Sequence, residues 1–174
     1  RILFSAGSAL APEVGNHATA LFGPVIHNLY GSTEVAVVTV ATPEDWRQAP
    51  GTVGRAPVGC QVALYDEQDR PITAPDTQGR VFGGSGLAFA GYTGGGTKDQ
   101  LDGLLSTGDI GHFDTDGLLF IDGRDDDMII SGGENVYPVE VENLLLEHAE
   151  ITDAAVIAVE DDGPLVTFLS LLRR

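Results

Sequence analysis

The chain has 174 residues, of which 43 % are hydrophobic, and a formal net charge of −17. Its length allows one ordinary domain or two small ones, and its composition is typical of a globular protein rather than a disordered one. The negative charge disfavours nucleic acids and anionic membrane surfaces as partners. No apolar stretch approaches the roughly 20 residues that a transmembrane helix needs. The single cysteine, Cys60, cannot form an internal disulfide, so we expect a cytoplasmic protein.

The first 48 residues are predicted to form an α/β layer. A short buried strand over residues 2–4 is followed by a helix over residues 11–22, which has a proline at its second position and stops before a glycine. The next two strands are predicted at residues 25–29 and 35–41, because both runs are apolar and partly β-branched. This alternation of strand, helix and strand is typical of α/β layering.

Residues 49–122 have a different sequence pattern. Short apolar runs alternate with Gly, Pro and Asp clusters, a pattern that favours an antiparallel sheet or a small β-barrel. Strands are predicted at residues 62–65, 80–82 and 118–121. The charged residues around Trp46, just before this region, are expected to form a surface loop.

The sequence pattern changes again after residue 123, where the four consecutive residues 124–127 are charged. Such a run packs poorly in a core and is suited to a hinge, so we place a boundary at residues 124–126. The remainder is predicted to be a small α+β unit. It is predicted to have a strand at residues 127–130 and a helix at residues 138–148, which begins at a proline. Two more strands are predicted at residues 154–159 and 166–172.

The first candidate functional motif is Tyr30-Gly31-Ser32-Thr33-Glu34, which follows a predicted strand. Hydroxyls and backbone N–H groups bind phosphate oxygens, and a carboxylate beside them can hold Mg²⁺. The tyrosine ring offers a flat face for a nucleotide base. Taken alone, the same residues could simply cap a turn.

Two further motifs follow. In Ser106-Thr107-Gly108-Asp109, an aspartate after a glycine turn can accept hydrogen bonds from ribose hydroxyls, although a turn-forming aspartate would look the same. The third motif is the long stretch over residues 123–142, which contains the charged run, a Ser-Gly-Gly-Glu-Asn loop and the proline-initiated helix.

In this order and spacing, the three motifs resemble the adenylate-forming superfamily, which includes acyl-CoA synthetases, luciferases and peptide-synthetase adenylation domains. The sequence of residues 131–142 most resembles that of bacterial fatty acyl-CoA synthetases. The resemblance covers nearly the whole chain and implies an α/β plus β-barrel fold. Residues 1–122 would be the C-terminal part of the large AMP-binding domain, with an α/β layer at 1–48 and a β-barrel at 49–122. Residues 123–174 would begin the small α+β C-terminal domain.

The resemblance also implies roles for the nucleoside-binding residues. The segment Gly7, Ser8 and Ala9 would form one wall of an adenine slot, and Tyr30 would form the opposite, aromatic wall. Asn28 would contact the adenine amino group. Asp109 would bind the ribose hydroxyls, and Arg124 would join it there.

A second set of roles concerns the phosphates, the hinge and the thiol substrate. Ser32 and Thr33, after Gly31, would bind phosphate, and Glu34 would be the carboxylate associated with Mg²⁺; Thr33 and Glu34 would be the catalytic residues. Asp126 would be the hinge about which the small domain rotates. Gly132 and Gly133 would line the tunnel that admits the pantetheine arm of CoA.

The implied reaction has two steps and uses a carboxylic acid, ATP and CoA as substrates. The acid attacks the α-phosphate of ATP to give acyl-AMP, and the CoA thiol then displaces AMP. A fatty acid is the first expectation for the acid. The family's phosphate loop and its adenylating lysine are missing from these 174 residues, and Lys98, the only lysine, matches neither. We therefore expect a fragment of a longer enzyme, inactive when isolated.

Two other interpretations remain open at this point. The first is an acyl-AMP ligase that passes its product to a carrier protein. Such relatives often carry an insertion near the hinge, and there is no room for one between Phe120 and Ile130. The second is a non-catalytic, truncated module that binds a nucleotide.

Overall fold

The computed structural model describes residues 1–94, 96–125, 127–131, 134–146, 148, 150–159 and 166–173. The chain divides into two compact units, Arg1–Ile121 and Asp122–Arg174. The sequence predicted domains of residues 1–122 and 123–174, with the hinge at residues 124–126. Each unit is considered separately below.

The first unit begins with a three-stranded sheet. Its strands are β1 (Leu3–Ser5), β2 (Ile26–Ser32) and β3 (Ala36–Ala41), in that spatial order. Strand β1 runs parallel to β2, and the crossover between them is the predicted helix, α1 (Pro12–Phe22). The helix has a proline in its first turn and ends at Gly23, which has a φ of 81°. The Gly23 N–H donates to the Thr19 carbonyl. Strand β3 then pairs antiparallel with β2.

The residues around Trp46 form a helix, so the prediction of a surface loop was wrong. Helix α2 (Pro43–Gln48) begins with a capping box, in which the Thr42 hydroxyl accepts the Asp45 N–H and the Asp45 carboxylate accepts the Thr42 N–H. Trp46 is only 2 % exposed. Its ring lies over Gly15 of α1, where an added Cβ would be 2.2 Å from the ring, so this contact requires glycine. The indole N–H donates to Asn16 Oδ1 at 3.0 Å.

The second sheet of the first unit has six strands in the order β5-β4-β6-β8-β7, with β9, whose first three residues belong to this unit, also paired to β8. The pairs along this path are antiparallel. The strands are β4 (Cys60–Tyr65), β5 (Pro71–Ile72), β6 (Gly79–Ser85), β7 (Gln100–Leu101), β8 (Leu104–Phe113) and β9 (Leu119–Arg124). The closure of this sheet into a barrel stays a prediction.

Apolar side chains join the two sheets. One buried cluster contains Val35, Val38 and Leu105, and a second is formed by Leu64, Val81 and Leu119. Tyr30 of β2 packs against both clusters. Burying a valine or leucine side chain contributes about 1.5–3 kcal/mol, so this packing fixes the position of Tyr30 relative to the second sheet.

The described residues of the second unit include two antiparallel strand pairs and a helix. Strands β10 (Ile129–Ser131) and β11 (Glu134–Val136) pair antiparallel, helix α3 (Pro138–Leu146) follows, and β12 (Ile151–Val159) pairs antiparallel with β13 (Val166–Arg173). Tyr137 and Val156 are buried, and the Glu142 carboxylate accepts the Val156 N–H at 2.8 Å, which ties α3 to β12. Across the described residues, no helix is long and apolar enough to cross a membrane.

Candidate functional site

The first two sequence motifs meet in the folded chain. Tyr30 lies near the end of β2 and Asp109 lies in β8, 79 residues further along. The Tyr30 hydroxyl donates a hydrogen bond to Asp109 Oδ2 at 2.5 Å. Both side chains are partly buried. A phenol and a carboxylate from different sheets are thereby held together at one place on the first unit.

A bulge in β8 projects Asp109 toward this place. Arg80 of β6 pairs with Ile110 and Phe82 pairs with Ser106, so the single residue Val81 opposes residues 107–109. Such bulges re-aim side chains and are frequent next to functional sites. The prediction that Asp109 follows a glycine turn was therefore wrong, because the motif lies within a strand.

Hydrogen bonds of the motif's own side chains stabilise the bulge. The Thr107 hydroxyl donates to the Val81 carbonyl at 3.0 Å and accepts the Asp109 N–H at 3.2 Å. Thr107 is only 2 % exposed. Gly108 has a φ of 81°, a conformation that other residues rarely adopt. The Ser-Thr-Gly-Asp order is thus explained by the backbone geometry that presents the aspartate.

The first motif completes β2 and then turns. Residues Tyr30 to Ser32 belong to β2, so the turn consists of residues 33–35 instead of starting at the glycine. Gly31 has no room for a side chain, since an added Cβ would lie 1.8 Å from the Ala36 carbonyl oxygen. The Ser32 hydroxyl accepts the Val35 N–H at 3.3 Å, and Thr33 is exposed. Two neighbouring hydroxyls therefore lie where this turn begins.

Glu34 lies in the same turn and has a partner that the sequence motifs did not indicate. The Tyr92 hydroxyl donates to Glu34 Oε1 at 2.8 Å. That bond is the main cause that lowers the pKa of Glu34, with further contributions from a backbone hydrogen bond, the Ser32 side chain and the charge of Lys98; these outweigh the opposing effect of burial. Glu34 is consequently ionised at neutral pH.

The remaining predicted nucleoside residues occupy two environments. Gly7, Ser8 and Ala9 are exposed and follow β1 directly. Because β1 and β2 are parallel neighbours, this segment and the turn after β2 share one edge of the sheet. Asn28, in contrast, is 3 % exposed, and its amide donates to the Thr52 carbonyl at 3.1 Å. This bond anchors β2 to the segment after α2.

Four predicted site residues belong to the second unit. Arg124 is the last residue of β9 and is exposed. The hinge residue Asp126 and the tunnel glycines Gly132 and Gly133 lie outside the described residues.

Residues 1–93 match the protein family described as AMP-binding enzyme. The chain belongs to this family. The match covers more than half of the 174 residues, including β1, α1, β2, the turn with Glu34 and Tyr92. The resemblance to adenylate-forming enzymes is thus confirmed at the level of the family.

Curated relatives of this AMP-binding family member are acid–CoA ligases by name. An indoleacetate–CoA ligase from Aromatoleum aromaticum is 32 % identical over 163 residues, covering 92 % of this chain and 32 % of the relative. A 2-succinylbenzoate–CoA ligase from Bacillus pumilus is 37 % identical over 140 residues, covering 76 % of this chain and 28 % of the relative. The chain therefore spans about a third of the length of these relatives.

Solved structures agree with this family assignment. The o-succinylbenzoate CoA synthetase from Bacillus subtilis in complex with its acyl-adenylate intermediate superimposes with a TM-score of 0.90 at 26 % identity, covering 100 % of this chain and 36 % of that one. The same enzyme in complex with ATP and magnesium gives a TM-score of 0.85 at 27 % identity, with coverages of 100 % and 37 %. The predicted mixed α/β fold is confirmed by these neighbours.

Proposed function

We propose that this chain is part of an ATP-dependent acid–CoA ligase, in which it supplies much of the nucleotide-binding site. The contact between the Tyr30 hydroxyl and Asp109 carries the proposal, since it joins the two motifs that an adenosine would need. Membership of the AMP-binding family and the acid–CoA ligase relatives support it.

In this proposal, adenosine binds at the edge formed by the ends of β1 and β2. The Tyr30 ring faces the adenine on one side, and Gly7, Ser8 and Ala9 face it on the other. A carboxylate offers about four lone-pair positions, so Asp109 can accept ribose hydroxyls while it also accepts the Tyr30 phenol. The amide of Asn28 is engaged with Thr52, and its contact with the adenine amino group remains part of the proposal.

The turn after β2 is proposed to bind the phosphates. Ser32, Thr33 and the N–H groups that follow Gly31 are donors suited to phosphate oxygens. The ionised Glu34 beside them fits Mg²⁺, which prefers oxygen ligands and binds in proteins through one or two carboxylates together with substrate phosphates. When bound, Mg²⁺ would neutralise charge that develops on the α-phosphate during attack by the acid.

The second unit is proposed to contribute the thioester step. By resemblance, Arg124 would contact the ribose, and Asp126 would act as the hinge between the two half-reactions. Gly132 and Gly133 would leave space for the pantetheine arm of CoA, because glycine permits close approach to the backbone.

The acid substrate is proposed only as a small carboxylic acid. The sequence motifs predicted a fatty acid, but the names of the relatives specify indoleacetate and 2-succinylbenzoate. These names give the fatty-acid prediction no support, and the assay must therefore include aryl, dicarboxylic and fatty acids.

Thioester formation by the full-length gene product that contains this chain tests the proposal. The protein is supplied with ATP, Mg²⁺, CoA and the panel of acids, and acyl-AMP and acyl-CoA are measured by mass spectrometry. We expect acyl-CoA with at least one acid. A Gly132→Trp variant should stop acyl-CoA formation but still make acyl-AMP, because the added ring would block the tunnel.

The other outcomes separate the remaining interpretations. Acyl-AMP without acyl-CoA in the unmodified protein would indicate a ligase that passes its adenylate to a carrier protein. Neither product from any acid would indicate a module that only binds a nucleotide. The isolated 174-residue chain is expected to release no pyrophosphate in the presence of acid, and measurable release would contradict that expectation.

A further inference from the structure

We infer that Tyr92 is a positioning residue that orients the Glu34 carboxylate toward Mg²⁺·ATP. The inference rests on the proposed function, since only there does Glu34 act beside the phosphates. Tyr92 lies outside the three motifs that suggested the function and is 46 % exposed. Its contact with Glu34 spans 58 residues of sequence.

The hydrogen bond holds the carboxylate at one oxygen. Tyr92 donates to Oε1 at 2.8 Å, and a carboxylate offers about four lone-pair positions, so it can still bind a cation. Glutamate has many side-chain rotamers, and ordering one costs conformational entropy. A partner that already holds Glu34 in place therefore lowers the cost of binding the metal.

The segment that carries Tyr92 is fastened to the turn that carries Glu34. The Phe89 N–H donates to the Glu34 carbonyl at 2.8 Å, and the Ser85 hydroxyl donates to the Val35 carbonyl at 3.1 Å. The ring of Phe89 packs against the buried cluster of Val35. It also contacts the Tyr92 ring edge to face, with 4.9 Å between centroids. The phenol is thus held by a chain of contacts that begins in the core.

A phenol is well suited to this task because it carries no charge. An arginine or lysine paired with Glu34 would offset the negative charge that attracts a cation, whereas a hydroxyl orients the carboxylate and leaves it anionic. Groups that orient a metal-binding carboxylate typically change metal affinity or activity by about 10–100-fold when removed.

The test replaces Tyr92 by phenylalanine in the full-length gene product. This change keeps the ring that contacts Phe89 and removes only the hydroxyl. Two quantities are measured: the Mg²⁺ concentration for half-maximal acid-dependent pyrophosphate release, and the calorimetric affinity for ATP with and without Mg²⁺. We expect the half-saturating Mg²⁺ concentration to rise by about 10-fold or more. The rate at saturating Mg²⁺ and the affinity for metal-free ATP should stay close to those of the unmodified protein.

A matched control removes the same kind of bond elsewhere. Tyr65 of β4 donates its hydroxyl to Asp102 Oδ2 at 2.8 Å, and neither residue belongs to the proposed site. Tyr65→Phe should leave the Mg²⁺ dependence unchanged. In a Glu34→Gln background, Tyr92→Phe should cause little further loss of Mg²⁺·ATP affinity, since the residue that it positions has lost its charge.

Four results would overturn the inference or separate it from the proposed function. An unchanged Mg²⁺ dependence in Tyr92→Phe overturns the inference, and so does a loss of rate at saturating Mg²⁺ without a change in half-saturation. If the unmodified protein binds Mg²⁺·ATP but releases no pyrophosphate, the proposed function fails, and calorimetry alone decides the role of Tyr92. If it binds no Mg²⁺·ATP, both are overturned.

Discussion

The contact between Tyr30 and Asp109 makes a quantitative prediction about the stability of the first unit. The perturbation is a double-mutant cycle with Tyr30→Phe, Asp109→Ala and both changes together. Hydrogen bonds to charged groups contribute about 1.5–3 kcal/mol, and the loss is larger when a buried partner is left unpaired. Because both side chains are only partly buried, we expect the lower end, a coupling of about 1.5 kcal/mol, or roughly tenfold in the unfolding equilibrium constant.

Urea unfolding of the chain, followed by tryptophan fluorescence, measures this coupling. Trp46 is the single tryptophan and is buried in the first unit, so its emission reports on that unit. Tyr65→Phe with Asp102→Ala is the matched control pair; its carboxylate is exposed, and its coupling should be smaller. A coupling between Tyr30 and Asp109 below about 0.5 kcal/mol, the level typical of exposed pairs, would refute the reasoning.

Two further predictions concern folding and acid stability. Trp46→Ala should lower the free energy of unfolding by about 3–5 kcal/mol, because it empties a buried site between α1 and α2; circular dichroism during thermal unfolding measures this, and a loss below 1 kcal/mol would contradict the packing over Gly15. The pKa of Glu34 is lower in the folded chain than its usual 4.5, so its contribution to stability is present above pH 4.5 and is lost as the pH falls through the folded value. Tyr92→Phe should weaken this dependence of the free energy of unfolding on pH. Unfolding curves between pH 3 and 7 measure it, and the same pH dependence in the variant and in the unmodified chain would contradict the prediction.

Local sequence patterns were sufficient for the elements whose signals lie within a few residues. Helix α1 was predicted from its proline start and terminal glycine, and the apolar runs indicated β2 and β3. The opposite case is α2, where charged residues around Trp46 suggested a surface loop. The capping box of Thr42 and Asp45 was present in the sequence and could have predicted this helix, because that signal depends only on residues three positions apart.

The position of Asp109 in a strand could not be read from its motif alone. A glycine with a positive φ suits both a turn and a bulge, and the choice between them depends on the partner strand. Pairing of β8 with β6 forces residues 107–109 opposite Val81, so tertiary contacts decided that the motif is a bulge. Tertiary contacts also decided the environment of Asn28, because its amide donates to a carbonyl 24 residues away.

The sequence by itself therefore determined which residues could carry nucleotide chemistry and, through three motifs in order, the family to which the chain belongs. Only the tertiary structure decided which of those residues meet. Tyr30 and Asp109 are 79 residues apart, and Tyr92 reaches Glu34 across 58. Contacts of this range depend on how two sheets pack through Val35, Leu105 and their neighbours, and the residue types in any single segment do not encode that packing.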